Sequence, residues 1–163
     1  KAWGPDHVAI EVIKKDKILR PERTQRSRSF LYAAIAGAVA HLIGRERVLL
    51  FENGVIGLNL PISRQVVGAT ATRTAHPKVL WGFSRILEAV AGRRLTIENP
   101  FALKTRAEVM ERLAASGAAG LIRHSVSCAH VSARTNMHPH CGVCSQCIDR
   151  RFSMLAAGLE AHD

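Results

Sequence analysis

All four cysteines of this chain lie in its last quarter, at Cys128, Cys141, Cys144 and Cys147, in the pattern Cys-x12-Cys-x2-Cys-x2-Cys. That spacing limits what the C-terminal region can fold into. A Cys-x2-Cys pair lets two sulfurs converge on one ion at about 2.3 Å while turn backbone fits between them. Gly142 supplies turn freedom directly after Cys141. Three cysteines so spaced leave one tetrahedral corner, which Cys128 fills across the intervening loop. A secreted disulfide scaffold would spread its cysteines through a shorter chain. The clustering therefore predicts one metal ion, zinc, in a reducing, cytoplasmic compartment. Four protein ligands leave no open position, so the ion is expected to be structural and not catalytic. The start of the final helix, expected at Cys147, would stabilise a thiolate through its dipole, and Arg150 and Arg151 one turn on would offset thiolate charge. Competing readings are an iron–sulfur cluster, a Cys-x-x-Cys redox pair, unpaired structural cysteines, and a Cys3His site in which His130, His138 or His140 displaces Cys128.

The chain is long enough, at 163 residues, for a domain with a real core, and its 47% hydrophobic content argues against an intrinsically disordered chain. The formal charge of +10 favours anions: nucleotides, nucleic acid or an acidic partner. A soluble domain with one basic face is the plainer account of the same charge. Aromatic residues are only 5% of the chain, which argues against an aromatic-rich single-strand surface. The most apolar stretch, Phe30 to Ile43, is too short for a membrane span and is flanked by Arg28 and Arg45, so it reads as a buried helix. No secretory signal is visible. Because the sequence opens on Lys1 and not on Met, a fragment of a longer protein is expected.

Along the chain, His7–Ile13 alternates polar and apolar residues and reads as a strand. Residues 14–29 form a basic loop. A buried helix follows Ser29, with Leu31, Ile35, Ala38, Val39 and Leu42 on one face, and stops at Gly44. Arg47–Phe51 is a short apolar run expected to be a strand buried on both faces. Gly54, Gly57 and Gly68 mark a loop. Pro77 opens a helix to Ala91, stopped by Gly92. Arg94–Ile97 reads as a strand, and Thr105-x-x-Glu108 as a capping box opening another helix. Residues 123–146 are irregular, and a last helix runs from Cys147 to about Leu159. Alternating strands and helices predict an α/β chain of βαβ units with a largely parallel sheet of only three or four strands. Two regions are expected: 1–122 as the α/β part and 123–163 as a metal-binding tail with its closing helix.

The stretch HCGVCSQCIDRRF, preceded by SCAH, resembles the C-terminal zinc motif of the 7-cyano-7-deazaguanine synthase family of ATP pyrophosphatases (PP-loop enzymes). RSRSFLYAAIAGAVA is similar to that family's Gly-Arg-Asn loop and following helix, RVLLFENG to its next strand with an acidic end, and ENPFALKTRAEV to a later segment in which a Pro and a Lys precede a helix. The resemblance covers most of residues 20–155, and the cysteine motif is its most specific part. It implies a partial Rossmann-like, nucleotide alpha hydrolase-like parallel sheet with flanking helices. The implied activity is ATP-dependent adenylation of a carboxylate, then reaction with ammonia to give an amide or nitrile, as in 7-deazaguanine and queuosine synthesis. The family's Ser-Gly-Gly-x-Asp-Ser loop, whose backbone would hold pyrophosphate, is absent from this sequence. Ser29 stands where the family has Asn, and the first cysteine gap is longer. The resemblance is thus to the C-terminal part of a divergent member. ATP and Mg²⁺ belong to the full-length parent, and the partners are the N-terminal half or another chain, a nucleotide and a small carboxylate, with a homodimer also expected.

Candidate binding residues follow. Arg28, on the basic loop, suits a phosphate or carboxylate through its planar fork, and Ser29 beside it suits helix capping or ligand contact. Glu52 and Asn53 lie past the carboxyl end of a strand, where ligands bind in open α/β sheets. Arg73 and His76 precede the Pro77 helix, whose N-terminus suits an anion, and Lys104 matches a lysine of the family pattern. No catalytic residue is assigned. The rival functions are a basic zinc-containing module that binds tRNA or DNA, and a structural subunit that completes a partner chain.

Overall fold

The computed structural model describes residues 9–12, 28–58, 60, 75–128 and 139–163. Among them the order is α1 (Arg28–Leu42), β1 (Arg47–Leu49), α2 (Gly54–Gly57), α3 (Pro77–Ala91), β2 (Thr96–Glu98), α4 (Arg106–Ala115) and α5 (Ser145–Ala156). Two 3₁₀ turns, Ala119–His124 and Glu160–His162, lie on either side of α5 in sequence. The architecture is mixed and helix-rich around a small parallel sheet. Arg47 stands opposite Thr96, Val48 opposite Ile97 and Leu49 opposite Glu98. Parallel strands need a long crossover, and α3 lies within it and packs on β2.

Two strands are present among the described residues, where three or four were expected. Of the expected strand His7–Ile13, residues 9–12 are described; they are exposed and lie in no strand. Ile10 and Val12 instead border an apolar groove beside α1 and β1. The strand expected over Arg47–Phe51 ends at Leu49, and only Val48 is buried, so one face is covered and not both. Beyond it the backbone leaves the ladder: Leu50 N–H still donates to Glu98 O, but Glu52 N–H turns to the Asn99 side chain.

Helix α1 does not bury the face its large side chains define. Leu31 and Leu42 are exposed, and Ala33, Gly37 and Ala40 turn to the core. Small residues let α1 approach α3 closely. A Cβ at Gly37 would stand 2.7 Å from Leu87 Cδ1. The rings of Phe30 and Phe83 pack at 5.5 Å nearer the start of the two helices. The end of α1 is closed by Arg93, whose guanidinium donates to Ala40 O, His41 O and Arg45 O at 3.0–3.2 Å. Ala40 O and His41 O also accept Arg45 N–H and Gly44 N–H from the turn that follows, so Arg93 reinforces the end of the helix. Val48, Leu80, Leu95 and Ile97 complete this core.

Helix α3 matches its expected bounds. Pro77 opens it, His76 Nδ1 accepts from Lys78 N–H, and Gly92 ends it at φ +65°. Its Ser84 hydroxyl accepts Ile97 N–H at 2.8 Å. Thr96 and Glu98 bond toward β1, so Ile97 N–H points away from it. The outer edge of β2 is thereby closed by a side chain at that position.

The glycine-rich stretch after β1 was expected to be a loop, but Gly54–Gly57 is a short helix. Asn53 caps it by accepting Ile56 N–H at 3.2 Å. Gly54 N–H donates to Lys104 O at 2.6 Å, and a Cβ on Gly54 would overlap the Ala102 carbonyl oxygen. Gly54→Ala should therefore cost about 1–3 kcal/mol, because the opposing atom is backbone and yields little. A lower urea midpoint at unchanged slope would register it.

Helix α4 begins with the expected capping box, Thr105 and Glu108 each bonding the other's backbone. The Thr105 N–H and then the Lys104 and Thr105 side chains hold the Glu108 carboxyl at about 2, well below its ordinary 4.5. A depressed acid contributes stability above its ordinary value and loses it as pH falls through the folded value. The contribution should fade between about pH 4.5 and pH 2. Thermal melts stepped through that window should show a shallower fall for Glu108→Ala than for the parent.

Candidate functional site

The four cysteine sulfurs lie within 4.8 Å of one another. Cys128 arrives from the extended stretch after the Ala119–His124 turn. Cys141 precedes a bend at Gly142, whose φ of +76° favours glycine. Cys144 is the N-cap of α5, and Cys147 lies in its first turn. The final helix therefore starts at Ser145, two residues before the expected Cys147, and ends at Ala156. Cys144 N–H donates to Cys141 Sγ at 3.4 Å, as backbone does in a turn that wraps a shared ion. Cys128 and Cys147 are buried, and Cys141 and Cys144 half-buried.

These sulfurs fit a single ion. Tetrahedral ligands at about 2.3 Å from a metal stand about 3.8 Å apart. Cys141 Sγ and Cys147 Sγ are 3.9 Å apart. Burial pushes the Cys147 thiol up to about 11, and neighbouring thiols add to the rise. A cation among the sulfurs reverses that preference by replacing the protons. Cys128 takes the fourth position in the cluster. His140 Nε2, offered as an alternative ligand, accepts Ser127 N–H at 3.3 Å. His130 and His138 lie outside the described residues.

Arg150 and Arg151 were expected to offset thiolate charge, but their guanidinium groups serve other partners. Arg150 bonds Asp163, Ser125 and Ile122, and Arg151 bonds Asp163. Burial tends to raise the Asp163 carboxyl, but hydrogen bonds from these two arginines outweigh it and hold it below its ordinary value. From α4, Arg106 reaches the first turn of α5, pairing with Asp149 at 2.9 Å and donating to Gln146 Oε1 at 3.1 Å.

Arg28, Ser29 and Glu52 line one cleft of about 250 Å³, together with Tyr32, Phe51 and Ala75. It lies past the carboxyl end of β1 and at the start of α1. Asn53, His76 and Lys104 do not line it. Asn53 caps α2, His76 caps α3, and Lys104 pairs with Glu108 at 3.0 Å. Arg73 lies outside the described residues. Asn99 is the residue that sequence reasoning missed. Its Oδ1 accepts Glu52 N–H and Phe101 N–H, and its Nδ2 donates to Glu52 O at 2.8 Å. One amide thus fixes the backbone that carries Glu52 against the end of β2. Its position in Asn99-Pro100 marked only a strand end.

Among the described residues no helix is long and apolar enough to cross a membrane. Comparison with protein-family models, with curated proteins and with solved structures gave no match. The geometry of the site is therefore what bears on function.

Serine at any one of the four cysteines leaves three ligands. Each substitution should weaken metal binding by at least the loss of an outer-shell partner, about 10–100-fold. Competition with a chromophoric chelator measures it, and unchanged affinity in all four variants would exclude these sulfurs as the ligand set.

Proposed function

We propose that this chain is the C-terminal portion of an ATP-pyrophosphatase-type enzyme related to 7-cyano-7-deazaguanine synthase, with structural zinc at Cys128, Cys141, Cys144 and Cys147. The observation that carries the reading is the cleft in which Arg28, Ser29 and Glu52 meet at the carboxyl end of β1. Ligands of open α/β sheets bind outside the carboxyl ends of strands. In this reading the Arg28 fork receives the carboxylate or the acyl-adenylate formed from it, and Glu52 accepts N–H groups of a nucleobase or shares Mg²⁺ with phosphate. The β1–α3–β2 unit is then one part of a larger Rossmann-like sheet. The loop that grips pyrophosphate comes from another segment or a partner chain, with ATP and Mg²⁺. The zinc only holds the tail in place. Four cysteines grouped for one ion, and not paired in disulfides, support a cytoplasmic, reducing setting.

A second reading, a structural subunit that completes a partner chain, is favoured by exposed apolar side chains. Leu42 and Val90 are each 82% exposed, and Trp81 is 66% exposed. It differs from the first in needing no small-molecule ligand. A tRNA- or DNA-binding module has only the basic charge behind it.

Two measurements test the enzyme reading. Elemental analysis of protein purified without chelator should give one zinc per chain. Calorimetric titration with 7-carboxy-7-deazaguanine should show binding that Arg28→Ala and Glu52→Ala each weaken tenfold or more, since a hydrogen bond to a charged group contributes about 1.5–3 kcal/mol. No binding by the parent would favour the structural-subunit reading. Adenylation of a carboxylate at an ordinary enzymatic rate by these 163 residues alone would defeat the partial-enzyme reading.

A further inference from the structure

Arg150 is the one charged side chain buried among the described residues, at 2% exposure. It lies on α5, three residues after Cys147. Its Nε donates to Asp163 Oδ1 at 2.7 Å and its Nη2 to Ile122 O at 3.1 Å. Its Nη1 donates to Ser125 Oγ at 2.7 Å and to Ser125 O at 3.2 Å. Ser125 stands three residues before Cys128. The helix that supplies Cys147 therefore grips, through one planar fork, the segment that supplies Cys128. Such a group is costly to bury and is retained only where its partners are satisfied. Its bonds to Ser125 and Ile122 join the helix that supplies Cys147 to the segment that supplies Cys128, and Asp163 holds its Nε.

Cys128 is the ligand most in need of such a hold. Cys141, Cys144 and Cys147 are positioned by one bend and one helix start, whereas Cys128 joins them across twelve intervening residues. If its segment were loose, closing that loop would be charged against every binding event. We propose that Arg150, anchored by Asp163, is a positioning residue of the metal centre that sets Cys128 against the other three sulfurs. This rests on the reading of the four cysteines as a metal site, and it assigns the affinity of that site to a residue that touches no metal.

The test uses the whole chain and two probe ions, Zn²⁺ and Co²⁺. Arg150→Lys keeps the positive charge but cannot reach Asp163, Ser125 and Ile122 together. Zinc affinity, read by chelator competition, should fall about 10–100-fold. The visible spectrum of the cobalt form should lose four-thiolate character. In a Cys128→Ser background the same substitution should change affinity less than about twofold, because a residue that acts through Cys128 has nothing left to position. Unchanged affinity in the Lys variant, or an equal loss in both backgrounds, overturns the proposal. If Arg150→Lys does not fold, Asp163→Asn, which keeps the arginine and removes its charged anchor, should show a loss in the same direction, and parental affinity there overturns the proposal. A parent chain that binds neither ion removes the metal centre itself, a result distinct from a parent that binds tightly alongside unaffected variants.

Discussion

Buried thiols do not hold one another. Burial pushes the Cys147 thiol up to about 11, and neighbouring sulfurs add to the rise, so without a cation its neutral form is favoured. The cluster's convergence within 4.8 Å must come from bonds around it or from an ion within it. The bonds around it are those of Arg150 to Asp163 and Ser125, and of Arg106 to Asp149. Metal and protein then act in one direction. The ion satisfies thiolates that burial would penalise, and the arginines reduce the reorganisation that binding requires.

The same bonds connect the centre to the cleft. Arg106 opens α4 and clasps the first turn of α5. Just before that helix, Lys104 O accepts Gly54 N–H, which fixes the turn after β1. Asn99 fixes the same turn from the other side by bonding both Glu52 N–H and Glu52 O. These hydrogen bonds and ion pairs, joined by short runs of backbone, lead from the helix that carries Cys147 to Glu52, which lines the cleft. The cysteine cluster is thus linked to the cleft that Arg28, Ser29 and Glu52 line.

Local signals were legible in the sequence, and long-range ones were not. The capping box at Thr105 and Glu108, the Pro77–Ala91 helix and the cysteine set all follow from residues close together in the chain. The face of α1 did not, because its exposed leucines are larger than the alanines it buries. Only the approach of Leu87 to Gly37 explains why small residues face inward. Gly54 looked like loop punctuation, but its value lies in closeness to Ala102, nearly fifty residues on. Asn99 and Arg106 act through partners about forty to fifty residues away, and no local pattern announces them. Glu52 is distant in the chain from Arg28 and Ser29, and the fold brings the three to one cleft.

Among the described residues, one edge of the sheet is open. On β2 the outward Ile97 N–H is already taken by Ser84, and α3 covers that side. A strand pairing there would have to displace a buried hydroxyl and its hydrogen bond. On β1 the residues whose backbone groups face away from β2 are Arg47 and Leu49, both exposed. Alongside lies an apolar groove of about 490 Å³ bordered by Ile10, Val12, Tyr32 and Val48. A strand that extends this sheet therefore pairs with β1. Its carboxyl end, if it runs parallel, falls beside Glu52 and the start of α1. Under the enzyme reading proposed above, the cleft of Arg28, Ser29 and Glu52 is a crevice between two adjacent strands, the position at which an open α/β sheet holds its ligand.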